Sequence, residues 1–178
     1  SVGALHHLNK NDGPSNPNLL TCIVGGNNQH YHFNDKEANE LSDKLIEIKK
    51  NKTDIELNII TSRRTSDLVK KILIKKLKNI ATIWTGAGKN PYKESIQNSS
   101  FFIITSDSTS MISEAAISGK PIYIYHLAFK RKSKRIEKFH KEFSKLGITK
   151  DIININHLSN WAYNSLNESE RIARIIKK

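Results

Sequence analysis

Five short stretches of the chain combine glycine, hydroxyl, amide and cation in a way that suits an anionic, hydroxyl-bearing ligand. They are GGNNQHYHF (25–33), TSRRTS (61–66), TGAGKNPY (85–92), SDSTSM (106–111) and HLAFKRK (126–132). Gly25 and Gly26 let the backbone turn sharply and bring N–H groups close to a phosphate. A plain turn explains them equally well, because the sequence holds neither GxGxxG nor GxxxxGK[ST]. Arg63 and Arg64 offer two planar guanidinium groups of the kind that grip a diphosphate. Exposed arginines opening a helix are the alternative, although cations at that position oppose the helix dipole.

The segment STSMISEAAISG (108–119) carries one carboxylate, Glu114. A helix opening near Ser108 places its capping-box position at Met111, so Glu114 needs another role. Four-residue spacing aligns Ser110, Glu114 and Ser118 on one face, beside the small Ala115 and Ala116. A carboxylate there can accept both hydroxyls of a ribose, while Ser108, Thr109 and Ser110 present hydroxyls and N–H groups to a phosphate. The alternative is a surface glutamate behind hydroxyl caps. His30 and His32 form HxH in a loop with no third ligand nearby, so no metal site is expected. His30, close to the glycine pair, is instead a candidate donor to a phosphate or base. Trp84 and Tyr92 flank the third stretch and could stack on a base, or, for Trp84, end a strand in the core.

Each stretch follows a run that reads as a strand buried on both faces: 19–26, 55–62, 80–86, 101–107 and 121–127. Helical patterns alternate with them at 35–51, 66–79, 90–99, 108–119 and 132–148, and a last one covers LNESERIARIIKK (166–178). This alternation predicts an α/β fold, a Rossmann-like open parallel sheet with helices on both faces. Ligands of such sheets gather at the carboxyl ends of the strands, where all five stretches would lie. Residues 1–18, broken by Gly13-Pro14 and Asn16-Pro17, read as an arm or linker; 19–178 read as one domain.

Bulk properties narrow the partners. The chain has 178 residues, with 29 Lys+Arg against 17 Asp+Glu for a net charge of +12. Lysine is spread over helix-like segments and no arginine cluster lines a groove, so solvated faces account for most of the charge and nucleic acid is not an expected partner. In KRKSKRIEKFHKEF (130–143), Phe139 and Phe143 sit one turn apart. The economical account is an amphipathic helix docking its phenylalanines on the domain; an anionic membrane surface is the alternative. Cys22 stands alone in an apolar run, which excludes a disulfide framework and suggests a reduced compartment. No apolar run spans a bilayer, and the chain reads as cytoplasmic, with any membrane contact peripheral.

Taken in order, GGNNQHYHF, TSRRT, GKNPY and DSTSMISEAAISGKPIYIY resemble the mitochondrial-fission Elm family and its bacterial relatives, over nearly the whole chain. That family is in turn similar to GT-B glycosyltransferases, whose carboxyl-terminal Rossmann-like domain holds a nucleotide-sugar donor. The resemblance implies Glu114 as the acid that binds ribose, with Ser108, Thr109 and Ser110 near the diphosphate. Family members carry a further amino-terminal domain, so it also implies that this chain is half of a cleft, with a nucleotide sugar and that domain as partners and no separate cofactor. Transferase activity is then expected of the longer protein, not of this part alone. A non-enzymatic adaptor that recruits a partner at a membrane is the competing expectation. A sugar epimerase is not expected, since a glycine fingerprint and a Tyr-xxx-Lys relay find no support.

Overall fold

A computed structural model describes residue 3 and residues 13–166. The strands are β1 (Asn16–Val24), β2 (Glu56–Thr61), β3 (Ala81–Trp84), β4 (Ser99–Thr105), β5 (Ile122–Tyr125) and β6 (Thr149–Asp151). The helices are α1 (Asp35–Asn51), α2 (Asp67–Leu77), α3 (Tyr92–Asn98), α4 (Thr109–Ala116) and α5 (Lys134–Lys145). All six strands run parallel in the order β3-β2-β1-β4-β5-β6, so the open Rossmann-like sheet is present.

Alternation along β1 and β4 divides the core between the two faces of the sheet. Leu20, Cys22 and Val24, with Phe101 and Ile103, pack against Leu41 and Leu45 of α1 and Val69 and Leu73 of α2. Ile23, Phe102 and Ile104 pack against Ile112 and Ala115 of α4, Ile96 of α3 and Phe143 of α5. Both faces are therefore covered, and the strands need no polar side. Cys22 is fully buried, and burial pushes its thiol up to about 12, which makes it a structural residue.

Two features differ from the sequence reading. β1 starts at Asn16, so Asn16–Asn18 belong to the sheet and not to an arm. Asn16 pairs with Ser99 of β4, and its amide donates to Glu56, which overrides the polar composition. β6 was not expected: only Thr149 of its three residues is buried, and it exists through pairing with β5. The expected helix over 166–178 lies outside the described residues except for Leu166, whose N–H donates to Ala116 O at 3.4 Å. No helix among the described residues is long and apolar enough to cross a membrane.

Candidate functional site

The loops leaving β1, β2 and β4 are tied together by a buried carboxylate that the sequence reading did not single out. Asp107 has no exposed side-chain surface. It accepts the Gly26 N–H (3.1 Å), the Thr105 hydroxyl (2.6 Å) and Arg64 Nη2 (2.7 Å). The Thr105 hydroxyl in turn accepts the Gly25 N–H at 2.8 Å. From the β2 loop, the Thr65 hydroxyl lies 2.6 Å from Gly25 O. This packing is why glycines are required. A Cβ at Gly25 would sit 2.1 Å from Asp107 Oδ2, and one at Gly26 would sit 2.0 Å from the Arg64 carbonyl oxygen.

The diphosphate cradle imagined from sequence is changed accordingly. The amides of Gly25 and Gly26 point into the protein's own side chains, not toward a ligand, and Arg64 neutralises Asp107. Ser108 caps α4, its hydroxyl accepting the Met111 N–H, and is buried. Thr109 is half-buried and Ser110 exposed at the first turn of α4. The His30 ring Nδ1 lies 3.1 Å from Arg131 O, and the backbone of Lys130 donates to His30 O. That contact, with Tyr31 stacked on Phe129 at 4.7 Å, fastens the β1 loop to the β5 loop.

A cleft of about 670 Å³ opens on the α3–α4 side of the same rim, with Ile23 and Ile60 among its lining residues. Of the residues expected at the site, Arg63 and Glu114 line it; Gly25, Gly26, His30, Arg64, Ser108, Thr109 and Ser110 do not. Arg63 comes from the end of β2, Lys70 from the second turn of α2, Trp84 from the end of β3, and Tyr92 and Glu114 from α3 and α4. The cleft thus sets two cations, Arg63 and Lys70, and one acid around a single volume. Tyr92 donates its hydroxyl to Glu114 Oε2. Burial, and then the carboxylate itself, push the Tyr92 phenol well above its usual range, so it stays a donor. The Trp84 indole N–H is buried and has no hydrogen-bond partner among the described residues. Lys70 escaped the sequence reading because a helix lysine looks like any solvated one; its position one turn past the Ser66 cap was the available signal.

The basic helix behaves as the economical reading required. Phe143 is fully buried, and Phe139 packs against the same core cluster, with the two rings 4.2 Å apart. Its His140 reaches the rim, with Nε2 2.9 Å from Ser106 O and Nδ1 buried without a partner among the described residues. Burial pushes the His140 imidazole down to about 4, and the neighbouring His126, 5.3 Å away ring to ring, works in the same direction. Since the unfolded chain takes up this proton near pH 6.5, stability is fully present above that pH and falls as pH drops toward 4. The loss amounts to as much as about 3 kcal/mol. Urea titrations at pH 7.5, 6 and 4.5 should show this slope, and His140→Gln should flatten it; parallel slopes in both proteins would refute the assignment.

Among the described residues no group of three or more His, Cys, Asp or Glu side chains could hold a metal. A family model described as mitochondrial fission ELM1 matches residues 2–178. A curated protein of Rickettsia prowazekii, described as uncharacterized, is 36% identical over 169 residues, covering 89% of this chain and 46% of that protein. The mitochondrial fission protein ELM1 of Arabidopsis thaliana is 27% identical over 166 residues, covering 90% of this chain and 37% of its own. The chain therefore spans less than half the length of either relative. Among solved structures, UDP-GlcNAc 2-epimerase from Neisseria meningitidis bound to UDP-GlcNAc aligns with a TM-score of 0.56 at 14% identity, over 89% of this chain and 36% of that one. The S. aureus MnaA-UDP co-structure aligns at 0.56 and 13%, over 91% and 37%. These likenesses show that the chain shares its fold with part of each of those two proteins.

Proposed function

The chain belongs to the mitochondrial fission ELM1 family, and on that premise we propose that it is the donor-side domain of a GT-B-like protein and binds a nucleoside diphosphate sugar at the strand-end rim. The observation that carries this reading is the cleft that holds Arg63 and Lys70 together with Glu114. Its volume of about 670 Å³ falls within the range of small-molecule sites. Two anionic phosphoryl groups match the two cations, and hydroxyls match the acid. Support from outside the chain is that two proteins sharing the fold were solved with UDP-GlcNAc and with UDP. Thr109 and Ser110, at the open first turn of α4, remain candidates for the phosphate side; Gly25, Gly26 and Arg64 act by holding the loops in place. Sugar transfer itself would draw its acceptor site and base from another part of the longer protein.

Calorimetry with UDP, GDP and UDP-GlcNAc on the protein at its full natural length tests this. Binding should be measurable, and Arg63→Ala and Glu114→Ala should each weaken it about tenfold or more, the worth of a hydrogen bond to a charged group. No heat with any of the three at millimolar ligand overturns the reading. A second arm tests an adaptor role at a membrane, which one observation favours. Lys130, Arg131, Lys132, Lys134, Arg135 and Lys138 are all exposed and form no ion pair among the described residues, although three of them crowd the N-terminal turns of α5 against its dipole. Sedimentation with phosphatidylserine vesicles that is lost on charge reversal there, without nucleotide binding, would favour that role.

A further inference from the structure

We propose that Tyr92 is a positioning residue that holds Glu114 for the vicinal hydroxyls of a ribose, and so makes the cleft prefer ribonucleotides to deoxyribonucleotides. The inference rests on the proposed nucleotide reading and assigns a residue and a selectivity that the reading alone does not contain.

Glu114 comes from α4 and Tyr92 from the first position of α3, two helices joined at the site by this side-chain bond. A free glutamate has three rotatable bonds and would sweep the cleft. Here one oxygen, Oε2, is held by the Tyr92 hydroxyl, and Tyr92 is itself fixed by packing on the second core cluster and by its N–H, which donates to Asn90 Oδ1 at 2.9 Å. Oε1 has no hydrogen-bond partner among the described residues. A carboxylate oxygen accepts along two lone pairs, so a single fixed oxygen is matched to two adjacent hydroxyls and is left half-satisfied by one. Arg63 and Lys70 line the same cleft and provide the counter-charges for the phosphates of the same ligand. Tyr92 touches the ligand only through Glu114 in this account, so its removal acts on the hydroxyl contact and not on phosphate binding.

The test is a comparison of UDP with 2′-deoxy-UDP by calorimetry, on the protein at its full natural length and on Tyr92→Phe. The unaltered protein should bind UDP about tenfold more tightly than the deoxy form. Tyr92→Phe should weaken UDP about tenfold and 2′-deoxy-UDP by less than about twofold, so that the preference vanishes. An equal loss for both nucleotides would mark Tyr92 as merely structural and overturn the proposal, as would an unchanged preference. If the unaltered protein binds neither nucleotide, the nucleotide reading itself falls, an outcome distinct from both. Should Tyr92→Phe fail to fold, judged by circular dichroism, Glu114→Gln makes the same comparison. Its amide keeps an acceptor for Tyr92 but turns a donor toward the hydroxyls, and the ribose preference should again be lost.

Discussion

Replacing Asp107 with alanine should lower the free energy of unfolding by about 3 kcal/mol. The carboxylate is buried and accepts three donors, the Gly26 N–H, the Thr105 hydroxyl and Arg64. Its loss strands the first two inside the protein, where each unsatisfied group costs about 1–3 kcal/mol. Arg64 is less of a burden, because its side chain is 47% exposed and can turn to water. That keeps the expected figure at the low end for a broken buried pair, which ranges to about 5 kcal/mol. Urea denaturation measures it as a shift of midpoint at constant slope. A midpoint that stays where it is would show that the three loops hold together without this residue. The same variant should also weaken the proposed nucleotide binding, since Arg63 adjoins the anchored Arg64.

Gly26→Ala should cost about 3 kcal/mol or more for a different reason. The added methyl would lie 2.0 Å from the carbonyl oxygen and 2.3 Å from the carbonyl carbon of Arg64. Both are backbone atoms, so no side-chain rotation relieves the clash and the β2 loop must move as a unit. Moving it parts the Gly26 N–H from Asp107, which adds an unpaired buried group to the steric cost. Gly26 needs no unusual φ, since the positive-φ glycines are at 86, 88, 119 and 147. Close approach is therefore the whole of the requirement. Thermal melting of the variant should show a clear drop, and a variant melting with the unaltered protein would mean that the loop has slack the packing does not show.

The elements were legible where burial is uniform. Residues 101–105 of β4 are apolar except for the terminal threonine and all are buried, and β5 and the part of β1 from Leu20 are buried throughout, so their position in a two-sided sheet follows from composition. β6 has no such signal, because an edge strand of three residues takes its identity from its neighbour. At the site, Glu114 and Arg63 were legible as groups without a structural excuse, an acid not used in capping and a cation against a dipole. Arg64, beside it and of the same type, could not be told apart from it, since what separates them is the Asp107 carboxylate 43 positions along the chain. The glycine amides failed likewise: a sequence displays an N–H but not the hydroxyl 80 residues away that accepts it. Asp107 itself looked like a loop residue, as buried charges do when the partner is distant in sequence.

The central pairing of β1 with β4 has a bearing on how this protein is made. Gly25 meets Thr105 and Gly26 meets Asp107 only after a loop of some 80 residues has closed, whereas β1, β2 and β3 pair with nearer neighbours along the chain. During synthesis the half carrying Arg63, Lys70 and Trp84 leaves the ribosome first, and the half carrying Glu114 arrives later. Neither half alone owns the cleft. If the proposed nucleotide bridges the two halves, it stabilises their docked state, so ligand supply and folding yield would rise together.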